Sequence, residues 1–286
     1  MTAPLPAVPT LTGLDGAVLP AVGFGTYKLN GSRGAEAIGS AIDVGYRLLD
    51  SAQRYQNEGA VGLATRRAVD AGVPRDELIV TSKLPGDAHH FQDAVEAVEE
   101  SVYRSGLERL DLFLIHWPNP SDGLYVEAWQ GLIEARERGL VRWIGVCNFL
   151  PSHLDRLISE TGVTPAVNQI ELHPYFPQAE QRAYHAEKGI LTEGWSPLGR
   201  NNSLLGEDVI VRIAEEHGVT PAQVALRWQV ELDVIPLPKA ASPERQRENL
   251  DLFSFALTPD EVVEISALGR PDGRTFDQDP ETYEEH

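Results

Sequence analysis

The chain has a single cysteine, Cys147, among 286 residues. It can form no intramolecular disulfide and no cysteine-based zinc site, and it fits a reducing compartment. No run of about 18 apolar residues occurs, so no transmembrane helix is expected. Residues 1–9 carry neither the positive charge nor the apolar stretch of a signal peptide. The expected location is the cytoplasm. Positive charge is scarce: 24 Lys and Arg stand against 43 Asp and Glu, a net charge of −19. Such a chain repels nucleic acids and anionic membranes at long range, so neither is an expected partner. The same charge keeps a protein dispersed in water, and a local basic cluster can still hold an anion. No G-x-G-x-x-G turn occurs, which counts against an open dinucleotide-binding sheet.

Hydrophobic residues make up 42% of the chain, enough for a sizeable core. Residues 9–22 read as a hairpin turning at Gly13, Asp15 and Gly16. Eight short apolar runs follow: Val22–Gly25, Arg47–Asp50, Leu78–Lys83, Leu110–His116, Val141–Val146, Val167–Ile170, Ile190–Glu193 and Asp233–Ile235. Between them lie segments of helical spacing at 33–45, 57–71, 90–105, 124–138, 151–160, 178–188 and 205–231. Eight strands alternating with helices predict an α/β fold, a (β/α)8 TIM barrel. No Pro/Gly/Ser linker divides residues 1–286, which are read as one domain. From Pro271 onward the chain is polar and acidic. Two readings of that segment stay open, a disordered tail or a loop folded over the barrel mouth.

Asp50, Lys83 and His116 end three consecutive predicted strands, at intervals of 33 and 33 residues. In a parallel barrel those ends share the C-terminal mouth, where barrel enzymes keep their chemistry. Tyr55 lies in the loop just beyond Asp50. Each residue alone has a bland reading as cap, solvated lysine, core histidine or surface ring, but the four together match one task. Reducing a carbonyl by hydride leaves an oxyanion that must take a proton. A free tyrosine, with a pKa of about 10, is a poor acid near neutrality. A nearby ammonium lowers that value, and a carboxylate keeps the ammonium charged. A neutral histidine can donate a hydrogen bond to the substrate oxygen.

The block Leu49-Asp50-Ser51-Ala52-Gln53-Arg54-Tyr55-Gln56-Asn57-Glu58 resembles the signature of the aldo-keto reductase family. So do Leu114-Ile115-His116-Trp117-Pro118, Gly145-Val146-Cys147-Asn148-Phe149, and Ile235 to Lys239 followed by Ser242 to Arg245 and Glu248-Asn249. The likeness is strongest to small bacterial members of the 2,5-diketogluconate reductase type. It implies that Tyr55 is the acid, tuned by Lys83 and Asp50, and that His116 orients the carbonyl. It places a nicotinamide against Trp195, with its carboxamide at Asn148 and Gln169. Gly25, Thr26 and Asp50 would lie near the ribose, and Ser196, Pro197 and Leu198 near the pyrophosphate. The adenosine 2′-phosphate would meet Lys239 and Arg245, with Asn249 near the adenine. A helix starting after Ser242, with Pro243 first, offers the same phosphate free N–H groups.

The implied cofactor is therefore NADPH/NADP+. Ala240 stands where many relatives have serine, which leaves room for some NADH use, and Cys147 stands for serine at the carboxamide. Trp117 and Tyr27 are expected to shape the pocket of a small-molecule carbonyl substrate, and the resemblance implies a monomer. Asp87, His89 and His90 read as a solvated loop rather than a metal site, so no metal is expected. Two other functions stay open. One is a Schiff-base barrel aldolase using Lys83. The other is a reductase-like regulatory protein that binds NADPH with little turnover.

Overall fold

The computed structural model of the protein describes residues 5–13, 15–200 and 203–286; residues 1–4, 14 and, within the 199–205 loop, 201 and 202 lie outside the described residues. The expected hairpin is present, with β1 (Thr10–Thr12) antiparallel to β2 (Val18–Pro20). Eight parallel strands follow: β3 (Phe24–Gly25), β4 (Leu48–Asp50), β5 (Ile79–Leu84), β6 (Leu110–Ile115), β7 (Val141–Cys147), β8 (Val167–Glu171), β9 (Leu191–Trp195) and β10 (Val234–Pro236). Each pairs with the next in chain order. Backbone bonds from Gly23 N–H to the Pro236 carbonyl and from Gly25 N–H to the Pro238 carbonyl, both 3.0 Å, join the first strand to the last. A Cβ on Gly25 would stand 2.9 Å from the Leu237 carbonyl oxygen, so glycine lets this seam close. The fold is the (β/α)8 barrel that the alternation of runs implies.

The outer layer holds α1 (Gly31–Val44), α2 (Glu58–Asp70), α3 (Phe91–Ser105), α4 (Tyr125–Glu137), α5 (Pro151–Thr161), α6 (Ala179–Lys188), α7 (Asp208–His217) and α8 (Pro221–Glu231). Two more helices, α9 (Pro243–Leu250) and α10 (Pro259–Ser266), follow the last strand. Helical spacing over 205–231 implies one helix, and the structure breaks it. Gly218 closes α7 in the left-handed region (φ 66°), and Thr220 opens α8 with a capping box to Gln223 and Pro221 in the first turn. Such a cap contributes on the order of 1 kcal/mol, enough with the glycine to favour two helices over one.

The side-chain period of two decides what faces inward. Leu48, Ile79, Leu112, Leu114, Val167 and Leu191 pack inside the barrel, where Ala17 and Leu19 of the hairpin plug its lower end. Leu49, Val80, Phe113 and Ile115 instead join the core beneath the helices. Two residues further along β4, β8 and β9, the inward positions become polar. Asp50 lies above Leu48, Gln169 above Val167 and Glu193 above Leu191, each at most 5% exposed.

The outer layer packs very closely where α2 meets α3. At Gly62 of α2 an added Cβ would lie 1.8 Å from the Ser105 carbonyl oxygen at the end of α3. Gly62→Ala should therefore destabilise the protein by about 1–3 kcal/mol in urea unfolding. Gly39, inside α1, faces open space, with nothing within 4 Å of where a Cβ would stand, and Gly39→Ala should add up to about 1 kcal/mol. A neutral Gly62→Ala would refute the tight α2–α3 contact.

Candidate active site

Lys83 points up the barrel axis with its side chain fully buried. Its ammonium donates to Asp50 Oδ1 at 2.6 Å and to the Ser51 carbonyl at 2.8 Å, and reaches Tyr55 Oη at 3.5 Å. Burial alone would push Lys83 toward neutrality. Asp50 first, then Tyr55 and Cys147, outweigh it and hold the group above its ordinary value. Tyr55 sits in a single 3-10 turn, Gln53–Tyr55, whose last carbonyl groups are tied down by the Asn30 side chain. Burial pushes its hydroxyl up to about 12; Lys83 pulls it down but does not win, and Asp50 and Cys147 add to the rise. From the sequence the opposite net shift is expected, because the ammonium is visible there and the lost hydration of a half-buried ring is not. Tyr55 is thus a filled proton donor throughout the neutral range.

The Tyr55 ring meets His116 edge-on, with centroids 5.9 Å apart, and Tyr27 at 5.1 Å. Asn148 follows β7 with φ 61° and Ser196 follows β9 with φ 51°. Both hold strained left-handed backbone at strand ends, a frequent property of functional loops. Asn148 donates to the His116 carbonyl at 3.0 Å and accepts from Trp195 Nε1 at 2.8 Å. Gln169 Nε2 donates to Asp50 Oδ1 at 2.9 Å and Glu193 Oε2 at 2.8 Å. The Asp50 carboxylate, which can only accept, therefore fixes the flip of this amide and leaves its Oε1 without a hydrogen bond among the described residues.

A cleft of about 1160 Å³ opens over this group. It brings together Gly25, Tyr27, Asp50, Tyr55, His116, Trp117, Asn148, Gln169, Trp195, Ser196, Pro197, Leu198, Lys239 and Arg245, as expected from the sequence. Thr26, Lys83 and Asn249 do not form its wall. Thr26 is fully buried and its hydroxyl holds the Asp50 carbonyl at 2.7 Å; Asn249 is buried within α9. At the far end, Ser242 caps α9, accepting from Arg245 N–H at 3.4 Å, beside the exposed Lys239 and Arg245. The volume of the cleft, the unspent amide oxygen, the glycine at its wall and the cationic helix start all fit a dinucleotide with an extra phosphate.

Several residues here escape a reading of the sequence. Glu193 shares the inward phase of Trp195, and that period is the signal that points to it. Arg200 lies over the rings of Tyr27 (5.3 Å) and Phe276 (4.6 Å), and nothing in a short polar loop announces it. The segment beyond Pro271 folds over the mouth: Tyr283 packs on Trp117 at 4.4 Å, and Glu285 Oε1 stands 2.7 Å from His116 Nδ1. The expected solvated loop at 87–90 is only partly so. His89 is 2% exposed, both of its ring nitrogens lack hydrogen bonds, and burial lowers it to about 4. Among the described residues no three His, Cys, Asp or Glu side chains converge as a metal site would require.

Comparison with known proteins agrees with this geometry. The profile of the aldo/keto reductase family matches residues 21–270. The chain is 55% identical over 281 residues to 2,5-diketo-D-gluconic acid reductase B of a Corynebacterium species, covering 98% of this chain and 100% of that protein. It is 42% identical over 279 residues to the methylglyoxal reductase DkgA of Escherichia coli, covering 97% and 99%. A crystal structure of a Gox0644 mutant in complex with NADPH superposes with a TM-score of 0.91 at 39% identity, covering 98% of this chain and 100% of the other.

Glu193 gives the site a pH signature. Burial first, then Asp50, raises it from 4.5 to about 7, against the pull of Gln169 and Lys83. Between those two values the unfolded chain has released this proton and the folded chain has not. Its contribution to stability therefore falls as pH rises through that window. Relative to Glu193→Gln, the wild type should lose on the order of 1–3 kcal/mol between pH 4 and pH 8. Urea unfolding of both proteins at matched pH measures it, and parallel curves would contradict a buried, neutral Glu193.

Proposed function

The chain belongs to the aldo/keto reductase family, and on that premise we propose that it reduces small aldehydes and ketones to alcohols with NADPH, Tyr55 giving the proton. The observation that carries this reading is the buried line Asp50–Lys83–Tyr55, opening at one end of a cleft whose other end holds Lys239 and Arg245. Bound NADPH supplies a hydride to the carbonyl carbon. The oxygen then carries the electron pair released from the C=O bond and takes the Tyr55 proton. An alkoxide is a far stronger base than a phenolate, so a tyrosine at about 12 still gives up its proton downhill. The tyrosinate left behind faces the Lys83 ammonium at 3.5 Å, which stabilises it.

Cofactor contacts follow the cleft. Trp195 offers a ring face, and the fixed Gln169 Oε1 can accept from a carboxamide N–H. Asn148 Oδ1 has a second lone pair beyond its bond to Trp195. Gly25 and Asp50 approach the ribose, and Ser196 to Leu198 the pyrophosphate. Lys239, Arg245 and the start of α9 receive the 2′-phosphate, so NADPH is preferred. Ala240 provides no hydroxyl there, and some NADH use remains. Trp117, Tyr27 and the tail segment enclose the substrate. The names of the relatives, a diketogluconic acid reductase and a methylglyoxal reductase, support small dicarbonyls and sugar-derived carbonyls as the substrate class. The aldolase reading loses ground because Lys83 is charged, paired at 2.6 Å and absent from the cleft wall.

Tyr55→Phe should lower kcat for methylglyoxal reduction by at least about 100-fold, the scale of losing acid catalysis, while NADPH still quenches tryptophan fluorescence. Retained turnover would overturn the role of Tyr55. NADPH quenching in the wild type without oxidation on any carbonyl would favour the regulatory reading. Arg245→Ala should raise KM for NADPH at least about 10-fold with little change for NADH, the loss of one charge-assisted contact. Equal changes for both cofactors would remove the phosphate from Arg245.

A further inference from the structure

Glu285 is built into the mouth of the cleft. It is 8% exposed. Its backbone N–H donates to Asn119 Oδ1 and its carbonyl accepts from Asn119 Nδ2, both at 3.0 Å. Its Oε2 accepts from Gly86 N–H at 3.0 Å. A Cβ on Gly86 would lie 2.2 Å from the Glu285 carbonyl oxygen, so the seat exists only because residue 86 is glycine. Next to it, Glu284 accepts from Ser121 N–H at 2.8 Å. These contacts leave the carboxylate one direction, toward His116, where Oε1 stands 2.7 Å from Nδ1. The oxygen lies off the axis of the ring N–H, so the contact is an ion pair more than an aligned hydrogen bond. Burial works against the charge on Glu285. His116 first, then Gly86 N–H and Arg54, outweigh it and hold the carboxyl below the usual carboxylate range.

The ring chemistry follows from that contact. A bare Nδ1 would set its lone pair against an anionic oxygen, so Nδ1 carries a proton. The other nitrogen, Nε2, has no hydrogen bond among the described residues. If the ring is neutral, Nε2 is bare and can only accept. A carbonyl oxygen gaining negative charge needs a donor. Only the doubly protonated ring offers one at Nε2. The neutral donor assumed from the sequence is the tautomer that Glu285 disfavours.

We propose that Glu285 is a positioning residue of the reduction, which keeps His116 as the imidazolium that polarises the substrate carbonyl through Nε2–H. This rests on the carbonyl-reductase reading above. The imidazolium donates a hydrogen bond and keeps its proton; Tyr55 remains the proton source. Other charged or titratable groups face the pair: Tyr55, Cys147, His89, Arg54 with Asp87 (3.1 Å apart), Asp122 and Glu284, with Lys83 and Asp50 behind Tyr55. Of these, Tyr55 at about 12, Cys147 well above its usual value and His89 at about 4 do not titrate between pH 5 and 9.

The test compares the wild type with Glu285→Gln. Reduction by the wild type should hold through neutrality and fall above the pH at which the pair releases its proton. In Glu285→Gln that limb should move at least about one unit lower, with kcat at pH 8 reduced about 10-fold. A lower rate at every pH with an unmoved limb is what a merely structural tail gives, and it overturns the proposal. A second readout needs no turnover. Ring ¹⁵N resonances of His116, assigned by their loss in His116→Gln, should show both nitrogens protonated at pH 7 in the wild type and a neutral ring in Glu285→Gln. A neutral wild-type ring overturns the proposal. A wild type that binds NADPH but oxidises it on none of the carbonyls refutes the function instead, and the resonances still decide the state of His116.

Discussion

One ammonium held in the barrel interior governs the rest of the site. Isolated, it would neutralise, since burying a charge without a partner costs several kcal/mol. Asp50, 2.6 Å away on the neighbouring strand, keeps it charged. That distance follows from strand register: Asp50 lies level with Thr81, two residues before Lys83 on the adjoining strand. Thr26 and Gln169 then hold Asp50 from two further strands or their loops, at 2.7 Å through its carbonyl and 2.9 Å through its carboxylate. An apolar floor of Leu48, Ile79 and Leu112 excludes water from below. The proton chemistry proposed above rests on a charge that the fold can neither solvate nor release.

Much of this is legible in the sequence. Asp50, Lys83 and His116 lie at or within one residue of the ends of strands one β/α unit apart, and backbone geometry alone carries them to one mouth. The barrel is legible too, because apolar runs and helical spacing alternate without a break. The split between α7 and α8 is signalled by Gly218 and Thr220-Pro221 but hidden under a continuous apolar pattern. What stays hidden has a common cause. The net shift of Tyr55 depends on how much water the ring loses, a tertiary quantity. Glu285 and Arg200 reach the cleft from polar, irregular segments that have no period to read. His89 turns inward for the same reason.

Charge is distributed unevenly along the cleft of this acidic chain. Lys239 and Arg245 stand exposed at one end beside the cap of α9, without a carboxylate within ion-pair distance among the described residues. At the other end nearly every charge is matched: Lys83 to Asp50, His116 to Glu285, Arg54 to Asp87. The unmatched end is suited to holding an anion, and the matched end to moving protons in a pocket whose net charge stays small. A field of −19 around the whole molecule matters little over these distances, since it is screened within about 10 Å at ordinary salt.

The segment after Pro271 roofs the cleft without adding a strand to the barrel. Most of its packing partners, Trp117, Asn119 and Gly86 among them, lie beyond the strand ends, and Thr275 N–H donates to Glu171 at the end of β8 at 2.7 Å. For a lineage of such proteins, this divides heredity in two. Mutations in the strands are selected first for folding, because the buried pair and its floor tolerate little. Mutations in the roof escape that filter and can alter which molecules enter. Yet Glu285 ties the roof to His116, so under the role proposed for that pair a roof mutation that changes the guest also changes the speed. Diversification and efficiency are then exposed to selection through the same few codons.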